Sequence, residues 1–286
     1  MAMNTETRSG HGDGRGRVAA RARQVVEGLH MLSEVQAPAA LLPAVMTRVG
    51  LGDAYAPLDT PAGRVLVAYN ALGVSAIEHA DDADAFQQRF RARFGRAAYP
   101  VEAVPAALAS AIAEGLRGHG GSSAARRCTV DLRGLTSFER SVLEKTREIP
   151  SGEVRPYAWV AREIGRPRAV RAVGTALAHN PIPLLIPCHR VVRSDGATGA
   201  YSLGGAEVKR EVLRAEGVDL DELAALVREG VRFIGSDSTH VFCLPSCRHA
   251  RRIGGRHRVR FASEAAAVRA GYRPCLVCRP AVLESA

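Results

Sequence analysis

Four of the six cysteines stand in two short-spaced pairs near the C-terminus, Cys243-Leu244-Pro245-Ser246-Cys247 and Cys275-Leu276-Val277-Cys278, with 27 residues between the pairs. Two pairs at this spacing can close on a single tetrahedral ion through four thiolates. No apolar secretion signal opens the chain, so the pattern favours a metal over disulfides. Residues from Val231 onward must therefore wrap one ion as a compact module. His249 and His257 read as bystanders. The same region carries eleven arginines against three acids over residues 228–280, a basic setting for contact with a nucleic-acid backbone.

A second stretch constrains the chemistry. The apolar run Ile182-Pro183-Leu184-Leu185-Ile186 ends in Pro187-Cys188-His189-Arg190-Val191. It sets a thiol and an imidazole side by side and can hold one reactive sulfur in a buried, dry setting. Asn180-Pro181 precedes the run, and Gly196, Gly199, Tyr201 and Gly204-Gly205 follow it. Free cysteine is mostly protonated at neutral pH, so a base must act before the sulfur becomes a nucleophile. A thiolate is polarizable and well suited to displacement at a saturated carbon.

The rest of the chain is organised around these two blocks. Its 286 residues imply two or three domains. Net charge is +10 and almost wholly arginine, since Lys145 and Lys209 are the only lysines. Arginine forks suit phosphate, so nucleic acid is the natural polyanion partner. No apolar run approaches the roughly 20 residues that span a bilayer. The expectation is a cytoplasmic protein with no membrane association.

Residues 1–16 are polar and glycine-rich and read as disordered; residues 17–49 carry a helical apolar pattern of no evident function. Residues 54–80 change to the period of a β-meander, with turns at Thr60-Pro61-Ala62-Gly63 and from Asn70 to Gly73. Helices follow over 83–94 and 104–117, then a short strand at Val130-Asp131-Leu132. Thr136-Ser137-Phe138-Glu139 opens a helix over 136–149. Residues 156–164 and 168–178, separated by Gly165-Arg166-Pro167, read as helix–turn–helix. Further helices run over 207–216, stopped by Gly217, and over 219–228. Trp159, the single tryptophan, reads as core.

The block around Cys188 resembles the active-site signature of the O6-alkylguanine-DNA alkyltransferases. The likeness extends to Leu58-Asp59-Thr60-Pro61-Ala62-Gly63, Asp131 to Phe138, Ile149-Pro150-Ser151-Gly152-Glu153-Val154 and Ala169-Val170-Arg171-Ala172-Val173-Gly174, covering roughly residues 54–217. The resemblance implies single-turnover repair of double-stranded DNA. An alkyl group of O6-alkylguanine, or of O4-methylthymine, passes irreversibly to Cys188 once the base is flipped from the stack. It implies a Cys188–water–His189–Glu216 relay, with Glu216 seven residues beyond Lys209. Asn180 braces the active-site turn, and Tyr157 gives the flipped base a hydrogen bond. Arg171 is the finger that fills the gap in the duplex. The small residues Ala169, Ala172 and Gly174 let its helix approach the minor groove. Pro183 and Val191 line the base pocket. Tyr201 and Ser202 start a loop over that pocket. Between Tyr201 and Lys209 this loop is one residue longer than the family spacing, which leaves the role of Ser202 and the accepted alkyl size open.

The cysteine module resembles the zinc domain of the bacterial adaptive-response protein Ada through Pro245, Ser246, Cys247, Phe261, Ala262, Gly271, Arg273-Pro274-Cys275 and Cys278-Arg279-Pro280. The resemblance implies Zn2+ on Cys243, Cys247, Cys275 and Cys278. In that family the first cysteine accepts a methyl from DNA phosphotriesters, a role that falls on Cys243. The module lies C-terminal here rather than N-terminal, and Leu244 stands where an arginine is usual. A structural zinc module therefore stays open beside a second methyl acceptor. The expected architecture is α+β. Residues 1–50 form a disordered or helical extension and 51–131 an N-terminal α/β subdomain of β-meander plus helices. Residues 132–220 form a helical alkyltransferase domain with helix–turn–helix, and 228–281 the four-cysteine zinc module. No organic cofactor is expected, and the molecule is expected to act as a monomer. The rival reading is a lesion-sensing DNA-binding protein or methylation-responsive regulator in which zinc is only structural.

Overall fold

The computed structural model describes residues 13–33, 38, 41–60, 62–79, 81–115, 127–194, 198–199 and 201–280. Most of the stretch read as disordered, residues 1–12, lies outside that set, as do Pro61 and Gly196 of the motifs. Asp13 to Gly16 are helical, contrary to the expectation, because the helical pattern of the next residues extends back to Asp13 in α1 (Asp13–Ser33). A second helix, α2 (Leu41–Arg48), buries no residue. Val25, Val26 and Met31 of α1 and Leu41, Leu42 and Val45 of α2 are exposed. Among the described residues no helix is long and apolar enough to cross a membrane.

From residue 52 the meander forms as read: β1 (Gly52–Thr60), β2 (Gly63–Asn70) and β3 (Gly73–His79), each antiparallel to the next. A fourth strand, β4 (Ala97–Pro100), pairs parallel to β1 and gives the sheet order β3-β2-β1-β4. The sequence signal missed it because Ala-Ala-Tyr-Pro shows no alternation. Its pairing follows from the return of α3 (Ala83–Phe94) along the sheet. Alternation divides the sheet into two faces. Tyr55, Leu66, Ala68 and Ala76 meet Phe86 and Phe90 of α3. Ala56, Val65, Val67 and Ile77 face the main core, where α4 (Ala106–Gly115) contributes Ile112.

The strand expected at Val130–Leu132 is a single bridge, Val130 to Val74. The buried carboxylate of Asp131 explains the difference. It draws Asn70, Arg96 and Arg133 around itself at 2.9, 3.0 and 2.7 Å, and the chain turns there instead of continuing a ladder.

The helical half opens with α5 (Ser137–Arg147). Thr136 Oγ1 accepts from Glu139 N at 3.2 Å and Glu139 Oε2 accepts from Thr136 N at 2.9 Å, the reciprocal cap anticipated from the sequence. A two-residue strand β5 (Arg155–Pro156) leads directly into α6 (Tyr157–Glu163), and α7 (Val170–Ala178) completes the helix–turn–helix. Strand β6 (Val191–Val192) pairs parallel to β5. Helix α8 (Gly205–Ala215) begins two residues before the expected start. Gly204 makes this possible: φ is +93°, and a Cβ there would come within 2.6 Å of Val208 Cγ2 and 2.9 Å of His79 Nε2. Helix α9 (Leu220–Arg228) is capped by Asp219, whose carboxylate accepts from Glu222 N at 2.8 Å.

The cysteine module is a second four-stranded sheet, of β7 (Phe233–Ser236), β8 (Val241–Cys243), β9 (Arg258–Phe261) and β10 (Arg273–Pro274), in the order β10-β8-β7-β9. Two short helices, α10 (Arg248–Arg251) and α11 (Glu264–Arg269), close it. Trp159 and Val160 of α6 share one continuous apolar core with Phe242, Cys247 and Cys278 of the module.

Candidate active site and metal centre

Cys188 lies in a turn that is buried throughout, from Pro181 to Val191. The residue is 5 % exposed, so the sulfur is sheltered from bulk water. Two features hold the turn. Leu184 sits in the left-handed region at φ +73°, a conformation that L residues keep only when their surroundings enforce it. Asn180 supplies the enforcement. Its Oδ1 accepts from Ile182 N at 3.0 Å, and its Nδ2 donates to Ile186 O at 2.9 Å and to Cys188 Sγ at 3.2 Å. The N-terminal sheet braces the same turn, since Ile77 N of β3 donates to Pro181 O at 2.8 Å.

His189 is fully buried, and its Nε2 lies 2.8 Å from Glu216 Oε1 at the C-terminal end of α8. Arg190 forks onto the same carboxylate, Nε to Oε2 at 2.8 Å and NH2 to Oε1 at 2.7 Å. Burial pushes the Glu216 carboxyl up, but the His189 and Arg190 contacts outweigh it and hold the group at about 2. Glu216 is therefore ionised at neutral pH, and the proton of the His189 contact resides on Nε2. That leaves the lone pair on Nδ1, which is buried and has no hydrogen-bond partner among the described residues. Burial lowers the imidazole against the opposing pull of Glu216, so the resting ring is neutral and able to accept a proton. The Tyr201 ring packs edge-on against it at 5.9 Å.

Burial also raises the Cys188 thiol; the Asn180 hydrogen bond and the nearby Lys209 ammonium act in the opposite direction. The sulfur at rest is a thiol, so proton removal must accompany its attack. Lys209 is itself buried, donates to Val191 O at 2.7 Å, and is lowered by desolvation to about 8. Sequence reasoning used Lys209 and Arg190 only as landmarks. The signal that could have marked Lys209 is that it is one of two lysines in an arginine-rich chain.

Tyr157 reaches the site through topology. It follows β5, and β5 pairs with the strand that leaves the Cys188 turn. Burial raises its phenol first, and the charge of Cys188 raises it further. Gly199 lies against its hydroxyl: φ is +74° there, and an added Cβ would stand 3.3 Å from the phenol oxygen. Arg171 and Ala172 are exposed on one face of α7; Ala169 and Gly174 are partly covered. Pro183 and Val191 are buried, Tyr201 is buried, and Ser202 is exposed. Among the described residues a cavity of about 570 Å3 lies elsewhere, lined by Pro156, Val192, Leu226 and Leu244, and Cys188 does not border it.

The four module cysteines are all buried, with their sulfurs within 4.8 Å of one another. Four thiolates about 2.3 Å from one zinc ion stand about 3.8 Å apart, so the set fits a tetrahedral Zn2+. His249 and His257 are not part of the cluster; His257 pairs with Asp237 at 2.9 Å.

Residues 137–218 match the family model of the 6-O-methylguanine DNA methyltransferase DNA binding domain, and residues 227–281 match the metal binding domain of Ada. The two matched segments follow one another along the chain. Over 101 residues the chain is 48 % identical to the methylated-DNA–protein-cysteine methyltransferase of Rattus norvegicus, covering 35 % of this chain and 47 % of that protein. Similarity to the bifunctional transcriptional activator/DNA repair enzyme Ada of Escherichia coli runs over 164 residues at 36 % identity, covering 57 % of this chain and 45 % of that one. The chain thus spans about half the length of these curated relatives. A solved structure of Mycobacterium tuberculosis OGT in complex with DNA aligns over 59 % of this chain and 98 % of its own, at 28 % identity and a TM-score of 0.44. The match to the metal binding domain of Ada and the buried cluster of Cys243, Cys247, Cys275 and Cys278 together support Zn2+ as the ion of this segment.

Proposed function

We propose that the protein repairs double-stranded DNA by moving an alkyl group from O6-alkylguanine, or from O4-methylthymine, irreversibly to Cys188. The carrying observation is the buried pair of contacts on adjacent residues, Asn180 Nδ2 to Cys188 Sγ and His189 Nε2 to Glu216 Oε1. Nδ1 of His189 takes the thiol proton, through a water as in the expected relay. Glu216 and its Nε2 contact stabilise the imidazolium that results. The sulfur then attacks the alkyl carbon, an S–C bond forms, the C–O6 bond breaks, and guanine leaves as its anion and takes up a proton. Tyr157 donates a hydrogen bond to the departing base. Arg171, on the open face of α7, fills the space left by the flipped nucleotide in the minor groove. Ala169, Ala172 and Gly174 keep that face low, Pro183 and Val191 wall the base pocket, and Tyr201 and Ser202 begin its cover. The protein acts once per molecule, as a monomer, in the cytoplasm. The functional units are an extension to residue 50, an α/β subdomain over 51–131, the alkyltransferase domain over 132–220 and the zinc module over 228–281.

A second transfer is proposed for the Ada-type module: Cys243 takes a methyl from a backbone phosphotriester, and the phosphodiester anion is released. The basic surface of residues 228–280 supports approach to phosphates. Cys243 is 1 % exposed, so this step requires the module to open on DNA.

Peptide mass spectrometry after incubation with O6-methylguanine duplex, and separately with methyl-phosphotriester DNA, tests both transfers. Methyl on Cys188 from the first substrate is expected. Cys188→Ala should lose that transfer and keep DNA binding; transfer that persists in this variant removes the assignment and favours a lesion-binding regulator. An unmodified Cys243 after phosphotriester treatment removes the second step.

A further inference from the structure

The two ligand loops grip the segment on either side of β5, the first at Glu153 and Val154 just before it and the second on α6 just after it. Ser246, inside the Cys243–Cys247 loop, accepts from Val154 N and donates to Val154 O, both at 3.0 Å. Glu153, next to it, is buried; it pairs with the buried Arg155 at 2.5 Å and accepts from Arg248 N at 3.2 Å, one residue past Cys247. On the other side, Trp159 Nε1 donates to the carbonyl of the ligand Cys278 at 2.8 Å. Arg162 donates to Arg279 O at 2.5 Å, and Arg279 pairs with Glu163 at 2.9 Å. Successive positions of α6 thus rest on the two residues that close the second ligand loop.

Within the module that loop is tied by Cys275 N to Phe242 O at 2.9 Å and by Leu244 N to Cys278 Sγ at 3.4 Å. Residues 275–278 form turns, with no helix or strand, and Arg279 is held at φ +44° with its N–H on Cys275 O at 2.9 Å. A left-handed arginine persists only where its surroundings fix it. Arg162, Glu163 and Glu148 hold Arg279 from outside the loop, and an ion on Cys275 and Cys278 would fix it from within. The segment being gripped is the one that matters for the other half of the molecule. β5 pairs with β6, which leaves the Cys188 turn, and α6 starts with Tyr157 and packs on α7, which bears Arg171.

We propose that the zinc centre is an intramolecular clamp on the DNA-reading half: the loaded cluster holds β5 and α6 in the conformation from which Tyr157 and Arg171 serve Cys188. Zinc occupancy then sets the rate of alkyl transfer without any zinc ligand touching the base. The rate arm rests on the function proposed above; the structural arms do not.

The test uses the full chain, stripped of zinc by a chelator under native conditions and then reloaded, with metal content measured. The single tryptophan reports directly, since Trp159 is the residue bonded to Cys278. Expected on zinc removal are a shift of Trp159 emission to longer wavelength, faster amide exchange over residues 154–163, and transfer to Cys188 slowed about tenfold, the scale of one buried hydrogen bond lost. Reloading should restore all three. Should the stripped chain unfold throughout, the zinc-loaded double variant Trp159→Phe, Ser246→Ala carries the test. It should keep full zinc yet show the faster exchange at 154–163. Unchanged emission, unchanged exchange and a transfer rate within twofold after zinc removal would overturn the clamp, as would native exchange in the loaded double variant. A loaded wild-type chain that transfers nothing, while emission and exchange still follow zinc, refutes the alkyltransferase reading and leaves the clamp standing.

Discussion

Replacing Glu216 by glutamine tests the charge system beneath Cys188 with minimal change of shape. The carboxylate is fully buried and accepts one contact from His189 and two from Arg190, at 2.7–2.8 Å. The amide oxygen of the glutamine could still accept from His189 Nε2, so the ring keeps its orientation and its open Nδ1. The negative charge is lost. Arg190, 4 % exposed, keeps its bond to Ile149 O but loses the charge that offsets its own, and breaking one side of such a pair costs about 3–5 kcal/mol. The imidazolium formed during transfer loses the same partner. Its formation becomes less favourable, and the benefit of a supported general base, about 10²–10⁴-fold, is forfeited in large part. The assay is the second-order rate of methyl loss from an O6-methylguanine duplex under excess protein, beside urea unfolding at pH 7. Glu216→Gln is expected to slow transfer at least about a hundredfold and to lower stability by several kcal/mol. A variant that transfers within threefold of wild type would refute the relay, and one that unfolds at the wild-type urea concentration would refute the ion-pair argument.

Three further outcomes follow from the same geometry. Lys209 is lowered from 10.5 to about 8 by burial, so its ammonium is penalised in the folded state below that pH. The fall is worth about 3 kcal/mol, and the wild type should gain that much relative to Lys209→Met as pH rises from about 8 to 10.5; a difference that stays flat across this window in urea titrations would contradict the sign. Arg171→Ala should slow transfer from duplex by about 10- to 100-fold, since unstacking a base costs a few kcal/mol, and leave reaction with the free alkylated base unaltered. An equal loss on both substrates would place Arg171 in the chemistry rather than in the duplex. Asn180→Ala strands Ile182 N in the core, while Ile186 O keeps its bond from Cys188 N at 2.8 Å, and should cost about 1–3 kcal/mol for the one group left without its partner, read by thermal unfolding, together with slower transfer at neutral pH.

Much of this was legible in the residues because the signals are local. Thr136 and Glu139 announce their helix start, Asp219 another, and alternation announces three strands of the first sheet. Cysteine spacing predicts the four-sulfur cluster because each short loop presents two thiolates to one ion, and two such pairs complete a tetrahedral set. The Pro187–Val191 block marks the proposed reactive sulfur by its motif, while the side-chain partners of Cys188 and His189, Asn180 and Glu216, lie 8 and 27 residues away. Asp131 shows the limit. Its segment reads as a strand, yet three partners, two of them from distant positions, turn it into a charge hub.

Sequence by itself determined the local elements, the set of four cysteines that cluster, and the adjacency of Cys188 and His189 along the chain. Tertiary structure alone decided that Lys209 and Arg190 enter the site, that β4 joins the sheet, and that the metal module closes on α6. Trp159 and Cys278 are 119 residues apart, and Val154 and Ser246 are 92 apart. Contacts across such separations depend on how whole elements pack to bury their apolar faces, and no short pattern encodes that outcome.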